Sequence, residues 1–224
     1  MTYPGPGPLP RDLAALNLSG DAVPRRTLAA QLATPLVAGL LSVLSAAPAA
    51  ADDHVVLQDA SGDMWRADAV DEAVPAPAST LGDLRRVDVR HGPANVVLTL
   101  RFVDLRRVGS YANYTVRLQT AARKFREVTL EADRHSWAGS TRVFRHDGSL
   151  VRGCGESHRV DYRGNTVRIV LPRSCLGTPR LVRANVNVYR ADAEDTFFSD
   201  NPHDGQAQSG AWSRWLRTAA EPSG

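Results

Sequence analysis

Asn95-Val96-Val97-Leu98-Thr99-Leu100-Arg101-Phe102 decides the fold. Val96, Leu98, Leu100 and Phe102 fall on one side of an extended chain, while Asn95, Val97, Thr99 and Arg101 fall on the other. That is the period of two expected of a strand with one buried face. Just upstream, Val87 and Val89 alternate with Arg86, Asp88 and Arg90. His91-Gly92-Pro93 between the two runs has turn chemistry, so the pair reads as a hairpin. The same period returns at Tyr114, Val116 and Leu118, at Val128, Leu130 and Ala132, and at Val182, Ala184, Val186 and Val188. Phe125 has the wrong parity for its strand, which points to a bulge or to packing against a turn. Turn signals stand at Asp147-Gly148, at Gly164-Asn165 and at Ala138-Gly139-Ser140. No amphipathic run after residue 52 is long enough for a major helix; at most Arg173 to Gly177 makes one turn. One-faced strands need a second sheet to cover them. The expected fold is therefore all-β, an antiparallel two-sheet sandwich of jelly-roll or immunoglobulin-like type, in one domain over residues 52–224. A lipocalin-like barrel is the alternative.

The first 51 residues read differently. Arg25-Arg26 precedes an uncharged stretch that runs to Ala51, with an apolar segment from Leu28 to Leu44 and small residues at Ala47-Pro48-Ala49-Ala50-Ala51. These are the parts of a cleaved export signal, with the cut expected after Ala51 and after Ala49 as the second choice. The absence of cysteine from this stretch excludes a lipoprotein anchor. The arginine pair partly matches a twin-arginine signal, but the residues after it are only weakly apolar, so the general secretory route is preferred. Residues 1–22 are Pro/Gly-rich, and a translation start at Val23 would explain them. No later segment is apolar enough to span a bilayer. The expected location is secreted, or extracellular.

Net charge falls from +3 to +2 when the leader takes away three arginines and two aspartates. Along the chain the basic residues are interleaved with acids, which argues against nucleic acid as a partner. Lys124 is the only lysine and Ile169 the only isoleucine. Both have A/T-rich codons, so the bias reflects a high-GC genome rather than arginine chemistry.

Two cysteines in an exported chain invite one disulfide. If Gly164-Asn165 is a two-residue turn, Arg163 faces Thr166 and Tyr162 faces Val167, so facing numbers sum to 329. Cys154 and Cys175 also sum to 329. The register then sets them opposite each other, at a non-hydrogen-bonded pair of the hairpin.

Asp59-Ala60-Ser61-Gly62-Asp63 places oxygen side chains at alternate positions, as hard cations require, although the full helix–loop–helix calcium pattern is absent. A second acidic loop carries Asp192, Glu194, Asp195, Asp200 and Asp204. Asp59, Ser61 and Asp63, joined by Asp200 or Asp204, make the candidate Ca²⁺ site. His146-Asp147-Gly148 and His203-Asp204-Gly205 repeat a tripeptide that reads as tight turns. Ser157 and His158 are adjacent, hence on opposite faces of a strand, and form no dyad. Glu127 and Glu131 are too far apart along their strand for a paired-carboxylate glycosidase. No serine-hydrolase, zinc-protease, phosphate-loop or dinucleotide motif occurs, which favours a non-enzyme. Trp137 and Tyr111 are the candidate exposed aromatics for binding, whereas Trp212 and Trp215 are expected to pin the C-terminal segment onto the core.

Several segments resemble small secreted proteins of high-GC Gram-positive bacteria. They are Asp59–Asp63, Arg90-His91 with the following strand and Asp104-Leu105, Val160-Asp161-Tyr162, Leu171-Pro172-Arg173-Ser174-Cys175-Leu176-Gly177, and Trp212-Ser213-Arg214-Trp215. The resemblance spans most of residues 54–217, and its outline is similar to carbohydrate-binding and DOMON-type sandwiches. It implies a secreted β-sandwich, and no haem-ligand or sugar-site motif carries over residue by residue. The expected function is non-catalytic binding of a surface glycan, polymer or protein; the alternative is a secreted hydrolase with a loop-assembled site. Secreted material should begin at Asp52. N-terminal sequencing that finds residues 1–51 retained would make the protein anchored instead.

Overall fold

The computed structural model describes residues 53–67, 73–192, 196–202 and 211–218. The leader at 1–51 lies outside them, as do Glu194, Asp195, His203 and Asp204. The described residues form thirteen strands and one short 3-10 helix. Five strands build the first sheet: β1 (Asp53–Gln58), β4 (Leu84–His91), β5 (Asn95–Phe102), β10 (Thr166–Pro172) and β9 (Ser157–Asp161), in that spatial order. The second sheet runs β3 (Val74–Pro75), β2 (Trp65–Ala67), β12 (Phe197–Asp200), β11 (Leu181–Ala191), β6 (Tyr111–Thr120), β7 (Phe125–Asp133) and β8 (Ser136–Phe144), with β13 (Leu216–Arg217) also paired to β11. Every named strand pair is antiparallel.

The alternating residues explain the packing. Val96, Leu98 and Leu100 on β5 and Val167, Ile169 and Leu171 on β10 are fully buried. Across the interior lie Val116 and Leu118 on β6, Val128 and Leu130 on β7, and Val182, Ala184 and Val186 on β11, equally buried. Each buried Val, Leu or Ile contributes about 1.5–3 kcal/mol relative to exposure. The barrel alternative fails, because the strands form two sheets and not one closed one. No helix among the described residues is long and apolar enough to cross a membrane.

The disulfide forms between Cys154 and Cys175, with Cα atoms 5.1 Å apart. The register that suggested it is displaced by two residues. Thr166 pairs with Asp161, so residues 162–165 form a four-residue loop rather than a two-residue turn. The Asp161 carboxylate sets this longer loop by accepting from the backbone N–H groups of Arg163 (3.1 Å) and Gly164 (3.0 Å). A shift of two keeps every side chain on its expected face. Neither cysteine lies in the ladder: Cys154 precedes β9 and Cys175 sits in the 3-10 helix Arg173–Leu176, so the non-hydrogen-bonded pairing does not apply.

Two local expectations change, and the structure decides between the two alternatives for Phe125. Ala138-Gly139-Ser140 lies inside β8, and the turn falls at Arg134-His135, where Asp133 Oδ1 accepts from the N–H groups of His135 and Ser136. Gly139 takes φ +81° beside an irregularity in the β7–β8 pairing, and a Cβ there would stand 2.7 Å from Leu130 Cδ1. Phe125 pairs regularly with Gln119 and packs edge-on against the His146 ring at 5.1 Å, which is the turn-packing role rather than the bulge. Leu216, fully buried, and Ser213, whose N–H bonds Ala184 O at 2.7 Å, hold the C-terminal segment; Trp215 is exposed.

Native protein should give no thiol labelling until unfolded with reductant. Replacing both cysteines by serine should cost about 3 kcal/mol in the chain-entropy model for a loop of this length, read from denaturant melts. Labelling of both thiols in the native protein would contradict the bond.

Candidate metal centre

The loop between β1 and β2 carries Asp59 and Asp63. Its path is fixed from two sides: Asp59 N–H bonds Arg85 O at 3.0 Å, and Gly62 N–H donates to Asp83 Oδ2 at 2.8 Å. Gly62 takes φ +84°, with Pro77 O 3.1 Å from where a Cβ would stand, so the tight turn needs glycine. Asp200 ends β12, more than 130 residues away in sequence. It reaches the same place because β12 pairs with β2 directly after the loop. Single carboxylate oxygens of Asp59, Asp63 and Asp200 all lie within 4.8 Å of one another. Asp200 is 2% exposed and accepts from Leu84 N–H at 2.6 Å and Asn201 N–H at 2.8 Å.

Asp83 closes the group from behind. It is fully buried, its Oδ2 holds the loop at Gly62, and its Oδ1 has no hydrogen-bond partner. Asp59 Oδ2 and Asp63 Oδ1 are likewise out of contact with solvent and unpartnered. Among the described residues no arginine, lysine or histidine forms an ion pair with any of the four. Burial pushes the Asp59 carboxyl up to about 9, with the charges of Asp200, Asp63 and Asp83 adding to it. Burial also pushes Asp200 up to about 7, against its two backbone donors. Asp63 and Asp83 are raised from the ordinary carboxylate range, again first by burial. Such a group is stable either with protons bound or with a cation that supplies the missing positive charge. An all-oxygen set suits a hard divalent ion, and Ca²⁺ accepts its irregular geometry more readily than Mg²⁺.

Of the sequence candidates, the structure brings Asp59, Asp63 and Asp200 together. Ser61 is exposed on the same loop, and Asp204 lies outside the described residues. Asp83 was missed: it sits alone between Gly82 and Leu84, and only the three-dimensional path of the loop gives it a role. The aromatic candidates do not converge. Trp137 lies in β8, half-buried and edge-on to Tyr162 (6.3 Å), whose hydroxyl donates to Trp137 O at 2.7 Å. Tyr111 is on the outer face of β6, where its hydroxyl accepts from Asn113 Nδ2 at 2.7 Å. Trp212 and Trp215 flank the Arg183 guanidinium at 4.8 and 4.9 Å. His146-Asp147-Gly148 is a turn, with Gly148 N–H on Arg145 O and Ser149 N–H on Asp147 Oδ1. His158 clasps β9 to β8 through the Thr141 hydroxyl and Ala138 O. Glu127 and Glu131 are each ion-paired, to Arg117 and Arg142.

Comparison with protein-family models, with curated proteins and with solved structures finds no match to the chain. The chemistry of the site therefore rests on its own geometry.

A carboxyl raised by folding binds more protons folded than unfolded between the two values, so stability falls as pH rises through that interval. The interval runs from 3.8 to about 9 for Asp59 and from 3.8 to about 7 for Asp200. With divalent cations chelated, the melting temperature should fall as pH is raised through the neutral range. Asp59→Asn should flatten the slope. A chelated protein whose melting temperature rises with pH there would show that these carboxyls are not held as described.

Proposed function

We propose that the protein is an exported, non-catalytic β-sandwich binding module whose one end is organised by a bound calcium ion. The observation that carries this reading is the convergence of Asp59, Asp63 and Asp200 within 4.8 Å, with unpartnered oxygens and a fully buried fourth carboxylate behind them. Burying like charges without compensation costs several kcal/mol per ion. A cation converts that cost into a bond between the β1–β2 loop, the end of β12 and the start of β4. The leader and the disulfide support export, since such bonds persist in oxidising compartments. The role as a binding module for a surface glycan, polymer or protein is supported by the polar residues on the outer faces of both sheets, among them Arg90, Thr99 and Arg168 on the first and Asn113, Arg117 and Arg183 on the second.

Calcium that binds only the folded state raises the melting temperature by mass action. At about 100 times the dissociation constant the gain is about 2.7 kcal/mol, or roughly 5–10 °C for a domain of this size. Chelator should reverse it, Mg²⁺ should give less, and Asp63→Asn should remove the response while leaving a folded protein. An unchanged melting curve in millimolar calcium would overturn the reading.

A further inference from the structure

The outer face of the five-stranded sheet gathers arginines that the linear sequence scatters among acids. Arg86 and Arg90 project from β4, Arg101 from β5, Arg168 from β10 and Arg159 from β9, all on the side opposite the core. Cross-strand register sets Arg86 directly opposite Arg101, and Arg159 directly opposite Arg168. Like charges directly opposed on a sheet are destabilising. At the first pair the cost is offset: Asp88 accepts from Arg86 at 2.7 and 3.0 Å and lies 3.7 Å from Arg101. At the second pair there is no such relief. Arg159, Arg168 and Arg90 are exposed, and among the described residues none forms an ion pair, although the charge of Arg90 is felt at Asp88. A groove of about 510 Å³ runs across this face, floored by Val97, Thr99 and Asn95.

We infer that this face binds an acidic polysaccharide, its carboxylates taken by Arg90, Arg159 and Arg168 and its sugar rings lying on the Val97–Thr99 floor. The inference rests on the binding-module reading and names its surface and ligand class. Guanidinium forks match carboxylates bidentately. Successive residues on one strand face stand about 6.8 Å apart and neighbouring strands about 4.8 Å, so the cations form a grid rather than a point. A grid suits a polymer with repeated charges. The floor decides which polymer: Val97 offers an apolar surface to ring C–H groups, and Thr99 and Asn95 offer hydroxyl and amide partners. A sugar chain uses both, whereas a bare polyphosphate has no C–H face to lay on Val97 and would leave the apolar surface unused.

The probe is hyaluronate, with dextran as neutral control and double-stranded DNA as a phosphate polyanion. Purified protein should bind hyaluronate, bind no dextran, and lose affinity as salt rises. Arg90→Gln and Arg168→Gln should each weaken binding about tenfold, the value of one charge-assisted contact, and Arg134→Gln, on a turn of the other sheet, should not. Melting temperatures should be unchanged or raised in the first two, because they remove charge from a crowded face. Undiminished binding by the Arg90→Gln/Arg168→Gln protein would overturn the inference, as would tighter binding to DNA. Every measurement is repeated with calcium and with chelator. Binding that needs calcium but ignores the arginines would move the ligand to the acidic end and overturn the arginine face alone. Absence of hyaluronate binding in protein that calcium still stabilises would likewise sink this inference and leave the metal centre standing.

Discussion

Leu98, Leu100 and Ile169 on one sheet and Val116, Leu118 and Val186 on the other lie in one buried cluster and are kept from water by the packing of the two inner faces. With the two inner faces committed to this contact, each strand residue has one of two fates, and parity decides which. The ends of the sandwich and its outer faces inherit whatever the inner faces reject. That is why the polar chemistry falls into distinct places: carboxylates at one end, arginines on one outer face, an Arg–Trp stack on the other.

The two charged groups are treated in opposite ways. The arginines stand in solvent, where two unit charges 4 Å apart repel by only about 1 kcal/mol and salt screens them further. A sheet can carry such a face unaided. Of the carboxylates, Asp83 and Asp200 are buried and Asp59 and Asp63 half-buried, and there the same separation costs several times more at an effective dielectric constant of about 20. Among the described side chains no cation pairs with any of them, and only the more distant charge of Arg85 acts against the burial of Asp83. The geometry of this end is fixed instead by backbone donors, Gly62 N–H to Asp83 and Leu84 N–H to Asp200. These hydrogen bonds hold the oxygens in place but do not neutralise them.

How much was legible follows from the range of the signal. Strand identity and face are local, and Asn95–Phe102 or Leu181–Ala191 could be read from alternation alone. Pairing of Cys154 with Cys175 was reached through a register two residues off, because Asp161 builds a longer loop than Gly164-Asn165 suggests. Parity survives such a slip, so the conclusion held although the register did not. The turn signal at Ala138-Gly139-Ser140 misleads, because the positive φ of Gly139 is taken up by a strand irregularity and Trp137 beside it lies in β8. The alternate oxygens of Asp59–Asp63 and the second acidic loop named Asp200 or Asp204 as the joining residue, and the structure brings Asp200 to Asp59 and Asp63. Asp83 and the arginine face were not anticipated, since both depend on which distant strand lies alongside. β10 sits beside β5 across more than sixty residues of chain, and nothing within either segment announces it.

The acidic end and the arginine face are not independent. A second groove, about 520 Å³, is lined by Asp59 and Ser61 on one side and by Arg86 and Arg101 on the other, and those two arginines also line the first groove. An anionic chain lying along the arginines would thus approach the β1–β2 loop. Three or four uncompensated carboxylates there would repel it, while protons or a divalent ion would remove most of that field. Neutralising the acids acts on both problems at once: it lifts the penalty on the buried cluster and lowers the potential at the mouth of the arginine face. The same ion would also stiffen the loop that borders the groove, so the reach of a bound cation would extend from the acidic end to the surface of the first sheet.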